Sequence, residues 1–161
     1  MKTSWWRRIA ALGCVVLGTT ALAATPAQAT LSPASPISIQ LSGRDSSNNT
    51  VLVGSAVGSL AFDDSNTWYR LSVTVCRQGS YSFPNFRVLV NGANQYLYVN
   101  ENNARPQVCA GYPGYPANGT LDGDFSYGGT IYTITICLQG VLFTNPVKFP
   151  ERCFTYDNPF S

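Results

Sequence analysis

The carboxylates that could do chemistry in this chain fall in two close pairs. Asp63 and Asp64 are adjacent, and a single glycine separates Asp122 from Asp124. Two carboxylates that face one cleft can hydrolyse a glycosidic bond, one as the acid and the other as the base or nucleophile. Both pairs lie in polar, turn-like contexts, where aspartate is common because it bonds its own backbone. The pattern favours turns at both places, with a small carboxylate-dependent hydrolase as an alternative.

Metal and base chemistry have few candidate residues. Asp122 and Asp124 offer oxygen ligands for calcium, but the residues that follow them do not complete an EF-hand loop. The chain has no histidine, which disfavours imidazole-dependent nucleophiles and transition-metal sites. Lys148 is the one lysine after residue 2, so serine-lysine catalysis would depend on it alone. We therefore expect no enzymatic activity, no metal and no cofactor.

A tandem Gly-Tyr-Pro sequence at residues 111–116 is the most distinctive candidate for binding. Tyr112 and Tyr115 each offer a flat apolar ring with a hydrogen-bonding tip, as sugar-binding and protein-binding sites use. The alternative is that both rings fold back and cover a sheet. Trp68 and Arg70, on the predicted outer face of a strand, form a second candidate contact, and Trp68 packing under a long loop is the alternative there.

Two similar stretches, residues 73–79 and 134–140, each end a strand-like run with cysteine and a Gln-Gly break. Cys76 and Cys137 occupy equivalent places, and each is followed by one further cysteine, Cys109 and Cys153 respectively. Of the three possible pairings, this repeat favours Cys76–Cys109 and Cys137–Cys153. Internal duplication and chance similarity between two strands both explain the repeat, since strands of any origin favour Val, Ile and Thr.

Short alternating segments separated by turn residues predict an all-β fold. The predicted strands cover residues 37–41, 51–53, 57–62, 68–76, 86–90, 93–99, 130–138, 141–143 and 153–156. With no helix predicted in the domain, they indicate an antiparallel β-sandwich or Greek-key barrel of about seven to nine strands, stapled by the two disulfides. Residues 100–124, rich in Asn, Gly and Pro, are predicted as a long loop held by Cys109.

Two local features of these strands can be predicted in more detail. Asn91-Gly92 is the strongest hairpin signal, because both turn positions tolerate positive φ. The resulting register pairs Val90 with Ala93, Val88 with Gln95 and Phe86 with Leu97. Alternation places Cys76 and Cys137 on the face away from the apolar residues of their strands. Each disulfide is therefore expected to attach a strand end to a covering loop.

Residues 1–29 have the three parts of a secretory signal: a basic start, an apolar stretch and a small-x-small site at residues 27–29. We expect this signal to be cleaved, leaving a flexible lead-in at 30–36 and a single β domain at 37–161. A membrane anchor is the less favoured alternative, because the apolar stretch is short and interrupted. The remaining chain has seven Lys/Arg and eight Asp/Glu, a net of −1, which favours neither nucleic acid nor stable membrane insertion.

These features predict a secreted, extracellular, non-enzymatic binding protein whose partner is a protein or a polysaccharide. One version is a proteinase inhibitor in which the loop after Cys109 enters a protease cleft, with Tyr112 and Tyr115 in pockets. The alternative is a carbohydrate-binding module in which Trp68 and the two tyrosines stack on sugar rings.

Overall fold

The computed structural model describes residues 29–78, 81–97, 99–102, 109 and 118–161. In chain order the strands are β1 (Ser35–Arg44), β2 (Thr50–Phe62), β3 (Trp68–Arg77), β4 (Asn85–Val90), β5 (Ala93–Gln95), β6 (Asn100–Asn102), β7 (Asn118–Ser126), β8 (Thr133–Gln139) and β9 (Glu151–Asp157). They form two antiparallel sheets, of order β1-β2-β3-β7-β6 and β5-β4-β8-β9. The predicted all-β fold with disulfides Cys76–Cys109 and Cys137–Cys153 is confirmed. In the described part of the chain, no helix is long and apolar enough to cross a membrane.

The core lies between the two sheets, and small residues in β2 make room for large neighbours. The largest fully buried side chains include Ile37, Ile39, Leu60, Phe62, Tyr69, Leu71, Ile131, Ile134, Ile136 and Leu138. In β2, Gly58 lies opposite Ile37 on one side and Val73 on the other. A Cβ at Gly58 would lie 2.0 Å from the carbonyl oxygen of Ser72, so only glycine allows this approach of β2 to β3.

The β4–β5 hairpin forms at the predicted turn. Asn91 and Gly92 have φ of 51° and 82°, and the predicted pairs Val90 with Ala93 and Val88 with Gln95 are present. β5 ends at Gln95, so the predicted continuation to residue 99 is wrong. After β5 the chain crosses to the other sheet, where residues 100–102 form β6.

Two further strand predictions are wrong. Part of the loop predicted at residues 100–124 is strand instead, since residues 100–102 form β6 and residues 118–124 lie in β7. In β7, Thr120, Asp122 and Asp124 are exposed and the alternate positions are buried or half-buried. Asp122 and Asp124 therefore lie in a strand and not in the predicted turn. The turn-forming composition of this segment concealed a regular alternation. Residues 141–143, predicted as a strand, make only an isolated bridge between Leu142 and Lys148, because the chain turns back at once through hydrogen bonds of Thr144 to Leu142 and Pro146.

The sandwich has two unlike ends. At one end, which we call the hydrogen-bonded end, lie the turns 63–67 and 91–92, the connection 127–132 and residues 158–161. Asn158 ties this end together, since its Nδ2 donates to Ile131 O at 2.8 Å and to Asn66 Oδ1 at 2.9 Å.

The first described residues also lie at the hydrogen-bonded end. The backbone N–H of Ser32 donates to Phe62 O at 2.8 Å, and Leu31 bridges to Asp63. At the opposite end lie the strand ends that residues 45–49, 78–84, 103–117 and 140–150 connect. We call this the loop end.

Candidate functional site

The Asp63 carboxylate organises a turn at the hydrogen-bonded end. Asp63 is 0% exposed. Its oxygens accept hydrogen bonds from the backbone N–H groups of Ser65 at 3.1 Å, Thr67 at 2.9 Å and Trp68 at 2.8 Å, and from the Ser65 hydroxyl. The exposed Asp64 accepts a hydrogen bond from the Thr30 hydroxyl, which lowers the pKa of Asp64. The expected turn is present, with the buried carboxylate engaged by its own turn.

Asp124 of the second pair forms a two-pronged ion pair with Arg70. These residues are register partners in β3 and β7, with Arg70 Nε 2.7 Å from Asp124 Oδ1 and Nη2 2.9 Å from Oδ2. The hydrogen bonds to Arg70 lower the pKa of Asp124, and they raise the pKa of Arg70 in turn. Since both side chains are about half exposed, water screens the pair and limits its effect on stability.

Residues proposed separately from the sequence come together on the outer face of β3 and β7. Trp68, Arg70 and Ser72 lie opposite Ser126, Asp124 and Asp122 respectively. The half-buried Trp68 is thus on the same sheet face as an ion pair and a second carboxylate. An aromatic ring beside fixed hydrogen-bonding groups is a combination suited to a polyhydroxylated ligand.

Tyr112 and Tyr115 lie outside the described residues, but both anchors of their segment are described. Cys109 is disulfide bonded to Cys76 with a Cα–Cα distance of 5.7 Å, and Asn118 is the register partner of Cys76 in β7. Cys109 and Asn118, the described residues that flank positions 110–117 in the chain, are therefore both neighbours of Cys76. Cys76 and Cys109 are both buried, so the anchors belong to the packed sandwich.

The two disulfides attach different kinds of structure. Cys76–Cys109 joins the end of β3 to the connection between β6 and β7, as predicted. Cys137 and Cys153, in contrast, are register partners in the adjacent strands β8 and β9. The prediction that this disulfide attaches a covering loop is wrong, because β9 pairs directly with β8 along its whole length. Their sulfurs lie within 4.8 Å of a Glu151 oxygen, but a disulfide offers no thiolate to a metal.

The candidate contacts are separated along β3. Trp68 is the first residue of β3, at the hydrogen-bonded end, and Cys76 lies eight positions later, near the loop end. At a rise of about 3.3 Å per residue, the two positions are about 26 Å apart. The candidate contacts therefore lie at two locations rather than in one patch. One is formed by Trp68 and Arg70, and the other by Cys109 and Asn118, which flank the Tyr-Pro segment (residues 110–117).

An exposed apolar group at the loop end was missed by sequence reasoning. Phe143, Val147 and Phe149 are 60%, 48% and 63% exposed, and we call residues 141–149 the apolar loop. The ring of Phe143 stacks on Tyr81, with centroids 5.8 Å apart. One sequence signal could have indicated it, because large apolar residues occur among the prolines of a connection between strands. In such a segment, apolar side chains are more readily exposed than in a strand of the core.

Backbone hydrogen bonds give the apolar loop a defined shape. Leu142 N donates to Lys148 O at 2.8 Å, and Lys148 N donates to Leu142 O at 3.1 Å. Tyr81 is held in turn near the end of β3, since its N–H donates to Gln78 O at 3.0 Å. The apolar loop therefore reaches the strand end that carries Cys76. Comparisons of the chain with protein-family models, curated proteins and solved structures gave no match.

Proposed function

We propose that this is a secreted, non-enzymatic binding protein that uses the loop end of a disulfide-stapled β-sandwich. The observation that carries the proposal is the double anchoring of residues 110–117 beside Cys76. A segment fixed at both ends to a packed scaffold loses less conformational entropy when it binds. Two disulfides are typical of extracellular proteins, and this supports the proposal that the protein is exported and meets its partner outside the cell.

A proteinase inhibitor is the particular form of this function that we propose. In this form the anchored segment enters a protease cleft, and Tyr112 and Tyr115 occupy pockets. Tyrosine is enriched among residues that dominate interface energies. The base of the segment stays fixed during binding because Cys76 and Cys109 are buried in the sandwich.

The inhibitor is tested by titrating secreted proteases of each mechanistic class with the purified protein. We expect stoichiometric inhibition of at least one protease, and a loss of about tenfold to a hundredfold in affinity for Tyr112→Ala or Tyr115→Ala. Tyr132→Ala is the matched control, because Tyr132 is 58% exposed at the hydrogen-bonded end. If stoichiometric protein slows none of the proteases, the inhibitor form is wrong.

Carbohydrate binding is the second candidate, and the outer face of β3 and β7 favours it. Trp68 would stack on a sugar ring while Asp122 and the Arg70–Asp124 pair bond its hydroxyls. Pull-downs with insoluble polysaccharides distinguish the two candidates, since an inhibitor stays in the supernatant. Trp68→Ala should then abolish retention, whereas Tyr132→Ala should keep it. Retention that survives Trp68→Ala would contradict this candidate.

Hydrolysis by paired carboxylates has less support. Asp63 accepts hydrogen bonds from its own turn, and Asp124 is paired with Arg70. Both groups are thus occupied by structural partners. If a preparation shows glycosidase activity, Asp124→Asn should leave that activity unchanged, and a loss of activity would contradict the non-enzymatic proposal.

Export itself is tested by mass spectrometry of the protein from the culture medium. We propose cleavage after Ala29, which gives an N-terminal Thr30. The Thr30 hydroxyl already bonds to Asp64, so the new terminus lies against the folded domain. An intact N-terminus at Met1 in the medium would contradict this proposal.

A further inference from the structure

The charges of the folded domain are segregated between its two ends. Towards the loop end lie Arg44, Arg77, Arg87, Lys148 and Arg152 against Asp45, Glu101 and Glu151, a formal net of +2 among the described residues. Towards the hydrogen-bonded end and along β7 lie Asp63, Asp64, Asp122, Asp124 and Asp157 against Arg70, a formal net of −4. Arg105, which lies outside the described residues, supplies the remaining positive charge. A net charge of −1 therefore conceals a molecule with one cationic end.

The cationic end is also where the apolar loop is displayed. Phe143, Val147 and Phe149 are exposed around Lys148, and the loop contains no acidic residue. Arg152 follows shortly after the loop, 5.1 Å from the ring centroid of Phe154. Exposed apolar side chains and positive charge are thus combined at the loop end.

We propose that the apolar loop docks this protein onto an anionic lipid surface. In this arrangement Phe143, Val147 and Phe149 enter the boundary between headgroups and acyl chains, while the cationic end faces the negative headgroups. Lasting attachment to a bilayer surface needs two signals, and an apolar insertion combined with basic residues provides both. Lys148 suits this position because its long apolar stem can lie along the loop while its ammonium group stays among the headgroups.

A bilayer fits this surface better than a folded protein partner does. The exposed apolar side chains lie on the turn closed by the Leu142–Lys148 bridge, and their hydrophobic contribution does not require a complementary pocket. The uneven charge would also orient the molecule before contact, because the acidic end is repelled by the same surface that attracts the loop end. The apolar loop, residues 141–149, is separate in sequence from the Gly-Tyr-Pro residues 111–116.

The loop is already shaped for such docking. Leu142 is buried, and it is bridged to Lys148 through two backbone hydrogen bonds. Tyr81 supports Phe143 from the neighbouring connection. Because insertion does not have to order the loop, little of its binding free energy is lost to conformational entropy.

The test is co-flotation of residues 30–161 with vesicles of phosphatidylcholine, with and without phosphatidylglycerol. All the contacts described above lie within residues 30–161. We expect binding to the anionic vesicles, weaker binding to the neutral ones and a decrease at high salt. Phe143→Ala and Phe149→Ala should each weaken binding by about tenfold, and Lys148→Glu should remove the preference for anionic vesicles. Tyr132→Ala, at the other end, should bind as the unchanged protein does.

Thermal unfolding of each variant shows whether the fold is kept. Trp68, the one tryptophan in residues 30–161, lies at the hydrogen-bonded end, so its emission should not shift when vesicles bind. The proposal is overturned if the protein does not float with anionic vesicles at low salt. It is also overturned if Phe143→Ala and Phe149→Ala both bind the vesicles normally, because binding is then adsorption by charge alone. Loss of protein capture by these variants, with vesicle binding unchanged, would overturn it as well.

Discussion

Leu142 fills the space that Gly43 leaves beside the end of β1. A Cβ at position 43 would lie 2.0 Å from Leu142 Cδ1, and Leu142 is buried in the core. Because Leu142 is bridged to Lys148, this contact helps to hold the apolar loop against the sandwich, together with the stacking of Phe143 on Tyr81. The packing of Leu142 against Gly43 thus helps to position the exposed Phe143 and Phe149, which directly follow Leu142 and Lys148 in the chain.

Gly43→Ala should destabilise the protein and displace the apolar loop. The added methyl group requires Leu142 to move out of its packed position, and overpacking of this kind typically costs about 1–3 kcal/mol of unfolding free energy. Denaturant unfolding measures the loss. The matched control is Gly128→Ala, where an added Cβ meets nothing within 4 Å. Equal unfolding free energies for the two variants would show that Leu142 does not depend on the space at Gly43.

Gly58→Ala should be worse than Gly43→Ala. The new Cβ would lie 2.0 Å from the carbonyl oxygen of Ser72 and 2.7 Å from the Cα of Val73. A side-chain tip can rotate away, but these are backbone atoms of a paired strand, so β2 and β3 would have to separate. We expect a loss at or above the upper end of about 1–3 kcal/mol, measured as soluble yield and unfolding midpoint. A Gly58→Ala protein as stable as Gly128→Ala would contradict the close approach of the strands.

Local patterns predicted the features whose causes lie within a few residues. The Asn91-Gly92 turn is an example, because its positive φ values suit these residue types. Alternation of apolar and polar residues predicted three core strands in the same way, at residues 37–41, 68–76 and 130–138. The disulfide pairing followed from the repeat, although β8 and β9 turned out to be paired strands.

The features that escaped prediction depend on distant parts of the chain. β7 was missed because Gly119, Asp122 and Gly123 individually favour turns, whereas pairing with β3 holds them extended. The Arg70–Asp124 ion pair follows from that same register, and residues 54 positions apart give no sequence signal. The exposed position of Phe143 likewise depends on the packing of Leu142 against Gly43, which lies in the other sheet.

Asp63→Ala should destabilise the hydrogen-bonded end. The substitution removes the acceptor for three backbone N–H groups, those of residues 65, 67 and 68. A buried donor left without a partner costs about 1–3 kcal/mol. These three hydrogen bonds are part-buried, so we expect the unfolding free energy to fall by about that amount in total. Asp63→Asn keeps one oxygen and should show a smaller loss.

The neighbouring acid supplies the control for Asp63. Asp64 is exposed, and among the described residues Thr30 is the one whose side chain donates a hydrogen bond to its carboxylate. Asp64→Ala should therefore change the unfolding midpoint little. Hydrogen exchange should report faster opening at Thr67 and Trp68 in Asp63→Ala only. If Asp63→Ala and Asp64→Ala unfold alike, the buried carboxylate does not organise the turn.

The Arg70–Asp124 pair predicts a specific dependence on pH. Hydrogen bonds from Arg70 hold the pKa of Asp124 below its ordinary value of 3.8. A lowered folded-state pKa adds stability above the unfolded-state value, and that stability is lost as the pH falls through the folded-state value. The effect on unfolding should be small because the pair is half exposed.

Carboxyl titration by NMR measures this pKa directly. Arg70→Ala should return the pKa of Asp124 towards its ordinary value. Arg70→Lys should do so in part, because it keeps the charge but loses the two-pronged geometry. Arg44→Ala, at the loop end, is the control. An Asp124 titration that Arg70→Ala leaves unchanged would rule out the ion pair in solution.

Removing each disulfide in turn should separate stability from binding. By the chain-entropy model, bridges across sequence separations of 33 and 16 residues stabilise by about 3–4 kcal/mol each. The two double variants Cys76→Ala/Cys109→Ala and Cys137→Ala/Cys153→Ala should therefore lose similar unfolding free energy. A non-reducing peptide map confirms that the other bridge stays intact in each.

Binding should respond differently from stability in these two variants. Cys76→Ala/Cys109→Ala releases one anchor of residues 110–117, so the affinity for the partner of that segment should fall well beyond the fraction unfolded. Cys137→Ala/Cys153→Ala leaves both anchors in place and should bind normally at temperatures where it is folded. If the two variants lose affinity equally, binding depends on the overall stability of the sandwich, and the anchored segment is not what recognises the partner.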